Sequence, residues 1–357
     1  LGILYFADIQ IKNKYDIIMR IGILTAGGDC PGLNAAIRGV GKSAIVEHKM
    51  KVFGFSSGFR GIIEKDYIEL SEEKLSGILT LGGTVLGTSR EKPFSNKSSF
   101  KKSIDKPELI KKHYKEMELD CLVCIGGNGT QTTANLLANE GLNIIGIPKT
   151  IDNDIEGTDQ TFGFNSAVEI ATEAIDRLHT TANSHKRIMV IELMGHHAGW
   201  LSLYAGIAGG GDVILIPEIK FKEENIINCI ERRVRNKKPS SIVVVAEGIP
   251  RPGKKSAAQY VSELISKHTS LESRQTILGY VQRGGTPSAA DRILATRFGT
   301  FATLLISEGN YGNMVAIRDG KMTAVPLADV GGKKKLIPVD YPMIKGARKL
   351  DTCFGDN

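Results

Sequence analysis

Residues 20–44, RIGILTAGGDCPGLNAAIRGVGKSA, decide the fold class. Arg20–Thr25 is a short apolar run, AGGDCPG is a glycine-rich turn, and from Leu33 to Ala44 apolar residues recur at helical spacing. Strand, tight turn and helix in that order open a βαβ unit. The pattern returns at Leu119–Ile125, followed by GGNGT (126–130) and a helix over Gln131–Ala138, and a third strand fills Asn143–Pro148. Further strands are predicted at Arg187–Met194, Val213–Pro217, Ser241–Ala246 and Thr276–Val281. Ser166 and Glu169 read as the capping box of a helix whose apolar face is Val168, Ala171, Ile175 and Leu178. An amphipathic helix is expected around Ile226, Ile230 and Val234, and a long one over Ala289–Glu308, capped by Ser288 with Asp291. Continuous apolar strands alternating with helices belong to parallel sheets covered on both faces, so the chain is read as α/β.

A chain of 357 residues has room for two domains or one large α/β unit. Many of its 40 glycines fall in short clusters just after apolar runs, where backbone turns sharply or approaches a ligand. Basic residues outnumber acidic ones by 46 to 39, but the excess is scattered in pairs such as Lys101-Lys102, Lys111-Lys112 and Lys254-Lys255. With no basic stripe and few aromatics, small anionic substrates explain the charge better than nucleic acid. Five cysteines without regular spacing argue for a reducing compartment rather than a disulfide framework. Cys121 and Cys124 form a lone CxxC inside a strand, where positions three apart face opposite ways, so they are read as core thiols and not as zinc ligands. The longest charge-free window, Leu193–Gly211, is too rich in glycine to span a bilayer, which speaks against a membrane. Residues 1–18 show no signal peptide and are read as a non-native or disordered extension before Met19, Lys92–Lys106 as a surface loop, and the tail from Lys333 to Asn357 as having no clear period.

The third strand leads into GIPKTIDND, residues 146–154. Asp152 and Asp154, two apart on an extended segment, present both carboxylates to one side. Such a pair can divide proton transfer from the handling of a metal or water, although Asp-Asn-Asp is also good turn chemistry. The turns TAGGDCPG and GGNGT each join a strand to a helix N-terminus, where free N–H groups and the helix dipole favour an anion. Two such turns in one sheet suit a polyphosphate lying across the strand ends. Residues 39–44, GVGKSA, match a dinucleotide fingerprint literally, but they continue a helix instead of following a strand, and Ala36 stands where a P-loop needs glycine. Arg90, Arg187, Arg274 and Arg283 each border an apolar or glycine-rich run, a place from which a guanidinium can grip phosphate. Glu247 ends the strand SSIVVVAEG, where a carboxylate can bind sugar hydroxyls or cap a turn.

Taken together, GGDCPGLNAAIRG, GGNGT, PKTIDND, MGHHAGW, VVVAEG and LGYVQRGGTPSAADRILA occur in the order, and with about the spacing, of the 6-phosphofructokinase family, which the chain resembles from Met19 to about Gly332. The resemblance implies two similar three-layer α/β domains with mostly parallel sheets and the active site in the cleft between them. It implies a nucleotide domain over 19–164 plus 282–332, a fructose 6-phosphate domain over 165–281 and a C-terminal extension over 333–357. The expected activity is transfer of the γ-phosphoryl group of ATP, with Mg2+, to the 1-hydroxyl of fructose 6-phosphate in glycolysis, in the cytoplasm. A homodimer or homotetramer is expected, its sites completed by the neighbouring subunit.

Residue by residue, Asp152 matches the base that takes the hydroxyl proton, and Asp154, Thr150, Arg90 and Lys149 surround the transferred group. Gly28, Glu91, Gly127, Asn128, Gly129 and Thr130 match the donor cradle, with Asn128 at the metal-linked position. Ile151, Met194, Gly195, His196, Arg187, Glu247, Arg274, Tyr280, Val281, Gln282 and Arg283 match the sugar-phosphate side, Arg187 and Arg274 reaching across from a neighbour.

Three departures from the family pattern stand out. Asn128 replaces a magnesium-linked aspartate, leaving an amide oxygen with less charge. His196 replaces the arginine of the MGR motif and Tyr280 a histidine, as in pyrophosphate-using and mixed-substrate relatives. His179 replaces a regulatory-site arginine, although Arg38, Lys42 and Lys238 keep that region basic. For the donor, Gly129 leaves room for the α-phosphate of ATP, whereas Lys149 is typical of pyrophosphate users. A flexible lysine can swing aside, so ATP is preferred and pyrophosphate is the alternative. A lipid- or NAD-kinase shares GGDGT-like turns but is opposed by IDND and LGYVQRGG, and a non-catalytic nucleotide-binding regulator is opposed by Asp152.

Overall fold

The structure, a computed structural model, describes residues 18–94 and 105–356. Most of the proposed N-terminal extension and the middle of the Lys92–Lys106 loop lie outside the described residues. In chain order the elements begin β1 (Arg20–Ala26), α1 (Leu33–Val46), β2 (Lys51–Phe55), α2 (Phe59–Glu64), β3 (Tyr67–Glu69), α3 (Lys106–Glu116), β4 (Cys121–Gly126), α4 (Asn128–Asn139), β5 (Ile144–Thr150) and β6 (Phe162–Gly163). They continue with α5 (Phe164–His185), β7 (Ile188–Leu193), α6 (Trp200–Ala208), β8 (Val213–Leu215), α7 (Glu223–Arg235), β9 (Ser241–Ala246), α8 (Ala257–His268) and β10 (Ser273–Ile277). The last are α9 (Ala289–Ser307), β11 (Asn313–Arg318), β12 (Lys321–Pro326), α10 (Leu327–Val330) and α11 (Pro342–Lys349).

Two sheets result. The larger has the order β12-β11-β5-β4-β1-β2-β3, with β6 beside β5, and the smaller β10-β7-β9-β8. Pairing is parallel except where β3 and β12 close the edges of the larger sheet. The central strands are buried on both faces, which is why they read as unbroken apolar runs. Ile23, Val123 and Ile145 pack into one cluster with Ile191 and Val244 of the smaller sheet, while Leu24, Leu122 and Ile144 pack on the opposite side. Cys121 and Cys124 fall on opposite faces of β4, both buried with free thiols.

The chain enters the smaller sheet through α5 and leaves it through α9, which packs on α1. A buried network ties those two crossings. The Ser166 amide and hydroxyl donate to Asp291 Oδ2 at 2.7 and 2.6 Å, and the Ser288 amide donates to the Ser166 hydroxyl at 2.9 Å. Ser166 is therefore not the cap of α5, as its spacing from Glu169 suggested: the cap lies three residues earlier at Gly163, in the left-handed region at φ 97°, and the Ser166 hydroxyl serves a tertiary contact. Ser288 does cap α9, accepting from the Asp291 amide at 3.2 Å.

Three further expectations change. The strand proposed at Thr276–Val281 lies earlier, at β10, and Gly279–Arg283 is a 3-10 turn, because Gly279 at φ 53° breaks the extended run. The tail is structured: α11 packs on the smaller unit, and Cys353 bridges β8 beside Val213. Cys353 is disulfide-bonded to Cys229 of α7, where irregular cysteine spacing had argued for a reducing compartment rather than a disulfide framework; the two stand 124 residues apart in sequence, too far for spacing to reveal the pair.

Candidate functional site

The C-terminal ends of β1, β4 and β5 lie side by side, and beyond them opens a cavity of about 480 Å³. This is where an open parallel sheet places a ligand. Gly28 in the turn before α1 and Gly127, Asn128 and Gly129 at the start of α4 form one wall. Gly127 caps α4 without a side-chain bond, so the first amides of the helix stay available to an anion. A Cβ placed on Gly129 would meet nothing within 4 Å, so the space over that turn is open. The Thr130 hydroxyl instead donates to the Ala26 carbonyl at 3.3 Å, sewing α4 to β1. Phe59, Phe94 and Leu136 add an apolar wall, and Arg90 stands exposed at the rim. Beside it, Glu91 is tied to Lys106 at 2.7 Å.

The floor is the acidic segment. Thr150 ends β5 and its hydroxyl accepts the Asp152 amide at 3.1 Å, closing a turn rather than continuing the strand. Asn153 follows in the left-handed region at φ 51°, which asparagine tolerates. Its side chain turns away and accepts the Thr161 amide at 3.1 Å. Asp152 and Asp154 thus both reach the cavity, through a bend and not through strand alternation. Burial, and then the charge of Asp154, pushes the Asp152 carboxyl up to about 7, against the pull of Arg283 and Lys149. Its Oδ1 is buried without a partner among the described residues. Asp154 is likewise raised by burial, opposed by the Asn128 amide, which donates to its carboxylate at 2.8 Å and to its carbonyl at 3.1 Å. With its nitrogen so engaged, Asn128 leaves Oδ1 buried and without a partner among the described residues.

Lys149 is not the mobile side chain assumed from the sequence. It is 3 % exposed and donates to the Gly28 carbonyl, and burial lowers its pKa. Arg283 presses on the same turn: a Cβ on Gly28 would fall 2.1 Å from its Nη1, so glycine there admits the guanidinium into the cavity.

The residues expected on the sugar side do not line this cavity, apart from Arg283 and the turn residues Thr150, Ile151 and Asp152. Glu247 Oε1 accepts the amides of Gly195 and His196 at 3.3 and 2.8 Å, so the capping role is realised at the ends of β7 and β9. Met194 is half-buried in that turn. His196, at φ 54°, stacks edge-on against His197 with ring centroids 4.0 Å apart. Arg187 and Arg274 both pair with Glu272 beside the edge strand β10. Tyr280 is 74 % exposed beneath the Arg283 guanidinium, and Val281 is also exposed. Gln282 has no exposed surface and donates to the Gly279 carbonyl at 3.1 Å, which braces the turn. The apolar wall of Phe59, Phe94 and Leu136 was missed, because nothing in the local spacing marks residues from three separate elements as neighbours.

The phosphofructokinase family model matches residues 20–306. "ATP-dependent 6-phosphofructokinase 3" of Bacteroides thetaiotaomicron is 56 % identical over 337 residues, covering 94 % of this chain and all of that protein. "ATP-dependent 6-phosphofructokinase" of Spirochaeta thermophila is 55 % identical over 94 % of this chain and 97 % of its own length. The solved phosphofructokinase of Saccharomyces cerevisiae superposes with a TM-score of 0.80 at 32 % identity, over 87 % of this chain and 45 % of that longer one. On motifs, fold and similarity alike, the chain belongs to the phosphofructokinase family.

Proposed function

We infer that the chain is an ATP-dependent 6-phosphofructokinase, transferring the γ-phosphoryl group of ATP to the 1-hydroxyl of fructose 6-phosphate. The observation that carries this reading is the buried Asp152 carboxylate, its Oδ1 without a partner among the described residues, at the mouth of two glycine-rich helix N-termini. Burial raises that carboxyl to about 7, so near neutral pH a large fraction is ionised, and this ionised form takes the hydroxyl proton. Phosphoryl transfer otherwise asks for alignment and positive charge. The α4 amides and the Gly28 turn hold the donor phosphates, and Arg90 and Arg283 approach from the rim. Magnesium suits the oxygen set beside the base: the orphaned Asn128 oxygen and the Asp154 carboxylate are hard donors that would hold it, with phosphate and water oxygens completing its shell. When bound it would neutralise charge on the donor phosphates.

For the donor, the open space at Gly129 and the commitment of Lys149 to a backbone carbonyl both favour ATP. Pyrophosphate is the second reading, supported by a 44 % identical relative in Amycolatopsis methanolica named for pyrophosphate. The larger sheet, with residues 19–164 and 282–332, then carries the donor, and residues 165–281 the sugar phosphate. Arg187 and Arg274, held outside the cavity by Glu272, serve a second copy of the chain in a cytoplasmic homo-oligomer. Among the described residues no helix is long and apolar enough to cross a membrane. A coupled assay with fructose 6-phosphate and either ATP or pyrophosphate tests the reading. Turnover with ATP is expected; turnover with pyrophosphate alone reverses the donor, and none with either removes the function.

A further inference from the structure

Lys335 lies in the tail, beyond the residues that the family model matches. Its ammonium donates to Asn153 Oδ1 at 3.1 Å, to the Thr158 carbonyl at 2.9 Å and to the Asp159 carbonyl at 2.8 Å. An ammonium has three protons, and all three are used here on one segment. The backbone of the same residue makes two more bonds in opposite directions. Its amide donates to the Asp154 carbonyl at 2.9 Å, and its carbonyl accepts the Trp200 indole N–H at 2.9 Å. The Trp200 ring also lies 5.3 Å from the ammonium, a cation–π distance.

One tail residue therefore holds residues 153–159 at four points and fastens them to α6 of the smaller unit. The attachment is itself braced. The Ile337 amide donates to Glu218 Oε1 at 3.2 Å, which also takes the Gly199 amide before α6 at 2.9 Å, and the Tyr341 and Tyr204 hydroxyls meet at 2.9 Å. The Asp154 carbonyl thus receives Asn128 from α4 on one side and Lys335 on the other.

We propose that Lys335 is a positioning residue: it clasps the acidic turn between the two units, so that Asp152 and Asp154 keep their places while the cleft binds and releases substrates. The catalytic part of this proposal rests on the phosphoryl-transfer reading above. It touches neither donor nor acceptor, so its removal should misalign the transition state while leaving ground-state binding nearly intact.

The test compares full-length wild type with Lys335→Met, Lys335→Arg and Trp200→Phe by amide hydrogen exchange and steady-state kinetics. In Lys335→Met, residues 152–161 should exchange at least about tenfold faster, and kcat should fall about 10- to 100-fold with KM for both substrates within about twofold. Lys335→Arg, which still donates, should restore most of kcat. Trp200→Phe keeps the ring and deletes one bond, so it should show the same pattern at roughly threefold, and it reads the clasp if the methionine variant does not fold. Exchange and kcat within twofold of wild type in the variants would overturn the proposal. So would a loss carried by KM, or faster exchange spread over the whole chain, since either marks ordinary structural support. Wild type inactive with both donors would remove the catalytic part alone, and the exchange arm would still decide whether Lys335 holds the segment.

Discussion

Replacing Asp152 by asparagine should make the protein more stable and nearly inactive, and the stability gain should depend on pH. Burial and Asp154 raise the Asp152 carboxyl from 3.8 to about 7, which corresponds to roughly 4 kcal/mol against its ionised form. Below pH about 4 the group is protonated whether the chain is folded or not. Between about 4 and 7 the unfolded chain releases the proton while the folded one keeps it, so wild-type stability falls as pH rises through that window. At pH 8 the full penalty is present. Asparagine removes the charge but brings its own amide into a buried place, an offset of about 2 kcal/mol, leaving a net gain of about 2 kcal/mol. Scanning calorimetry at pH 8 should show Tm higher by about 2–4 °C, and at pH 5, where less than half of the penalty applies, almost no difference. In the coupled assay the same variant should lose roughly 10²- to 10⁴-fold in kcat, because an amide cannot accept the proton. A variant no more stable than wild type at pH 8, or equally stabilised at both pH values, would refute the raised carboxyl. Turnover within tenfold of wild type would remove Asp152 as the base.

Two other substitutions probe separate parts of the molecule. Gly129→Asp enters open space, so urea denaturation should show a change within about 0.5 kcal/mol, while kcat/KM for ATP should fall at least about tenfold through repulsion of the donor phosphates. Ser166→Ala deletes the hydroxyl that links the starts of α5 and α9, leaving the Ser288 amide and Asp291 short of a partner. Urea denaturation should show a loss of about 2–3 kcal/mol, with activity per folded molecule nearly unchanged.

What could be read in advance follows from the range of the forces involved. β1, β4, β9 and α7 are marked by local periodicity, and their burial on one or both faces is a local property of the chain. The glycine turns and the acidic segment are likewise contiguous, so their chemistry was visible together. Asp152 and Asp154 were expected to share a side by strand alternation, yet they do so through the left-handed Asn153, whose conformation depends on Thr161 and Lys335 far along the chain. Lys149 was judged free to move because burial is a tertiary property, decided here by the Gly28 carbonyl. The same reason hides the Ser166 network, the Cys229–Cys353 bond and the apolar wall of the cavity. Each depends on residues that only the finished sheets bring together.

The order of strands in the larger sheet bears on how the chain is made. β5 is flanked by β4 on one side, but β11, which pairs with it at Ile145 and Gly146 on the other, is synthesised only after all four strands of the smaller sheet, roughly 160 residues later. At about 5–20 residues per second on a ribosome, that edge waits for roughly 8–30 seconds, an apolar strand with unpaired backbone covered only by the two residues of β6. The smaller unit, by contrast, is contiguous over most of its length and can form while the larger one is still unfinished. Nascent chains stalled between α5 and β11 should therefore be the most prone to aggregate and the ones a chaperone engages.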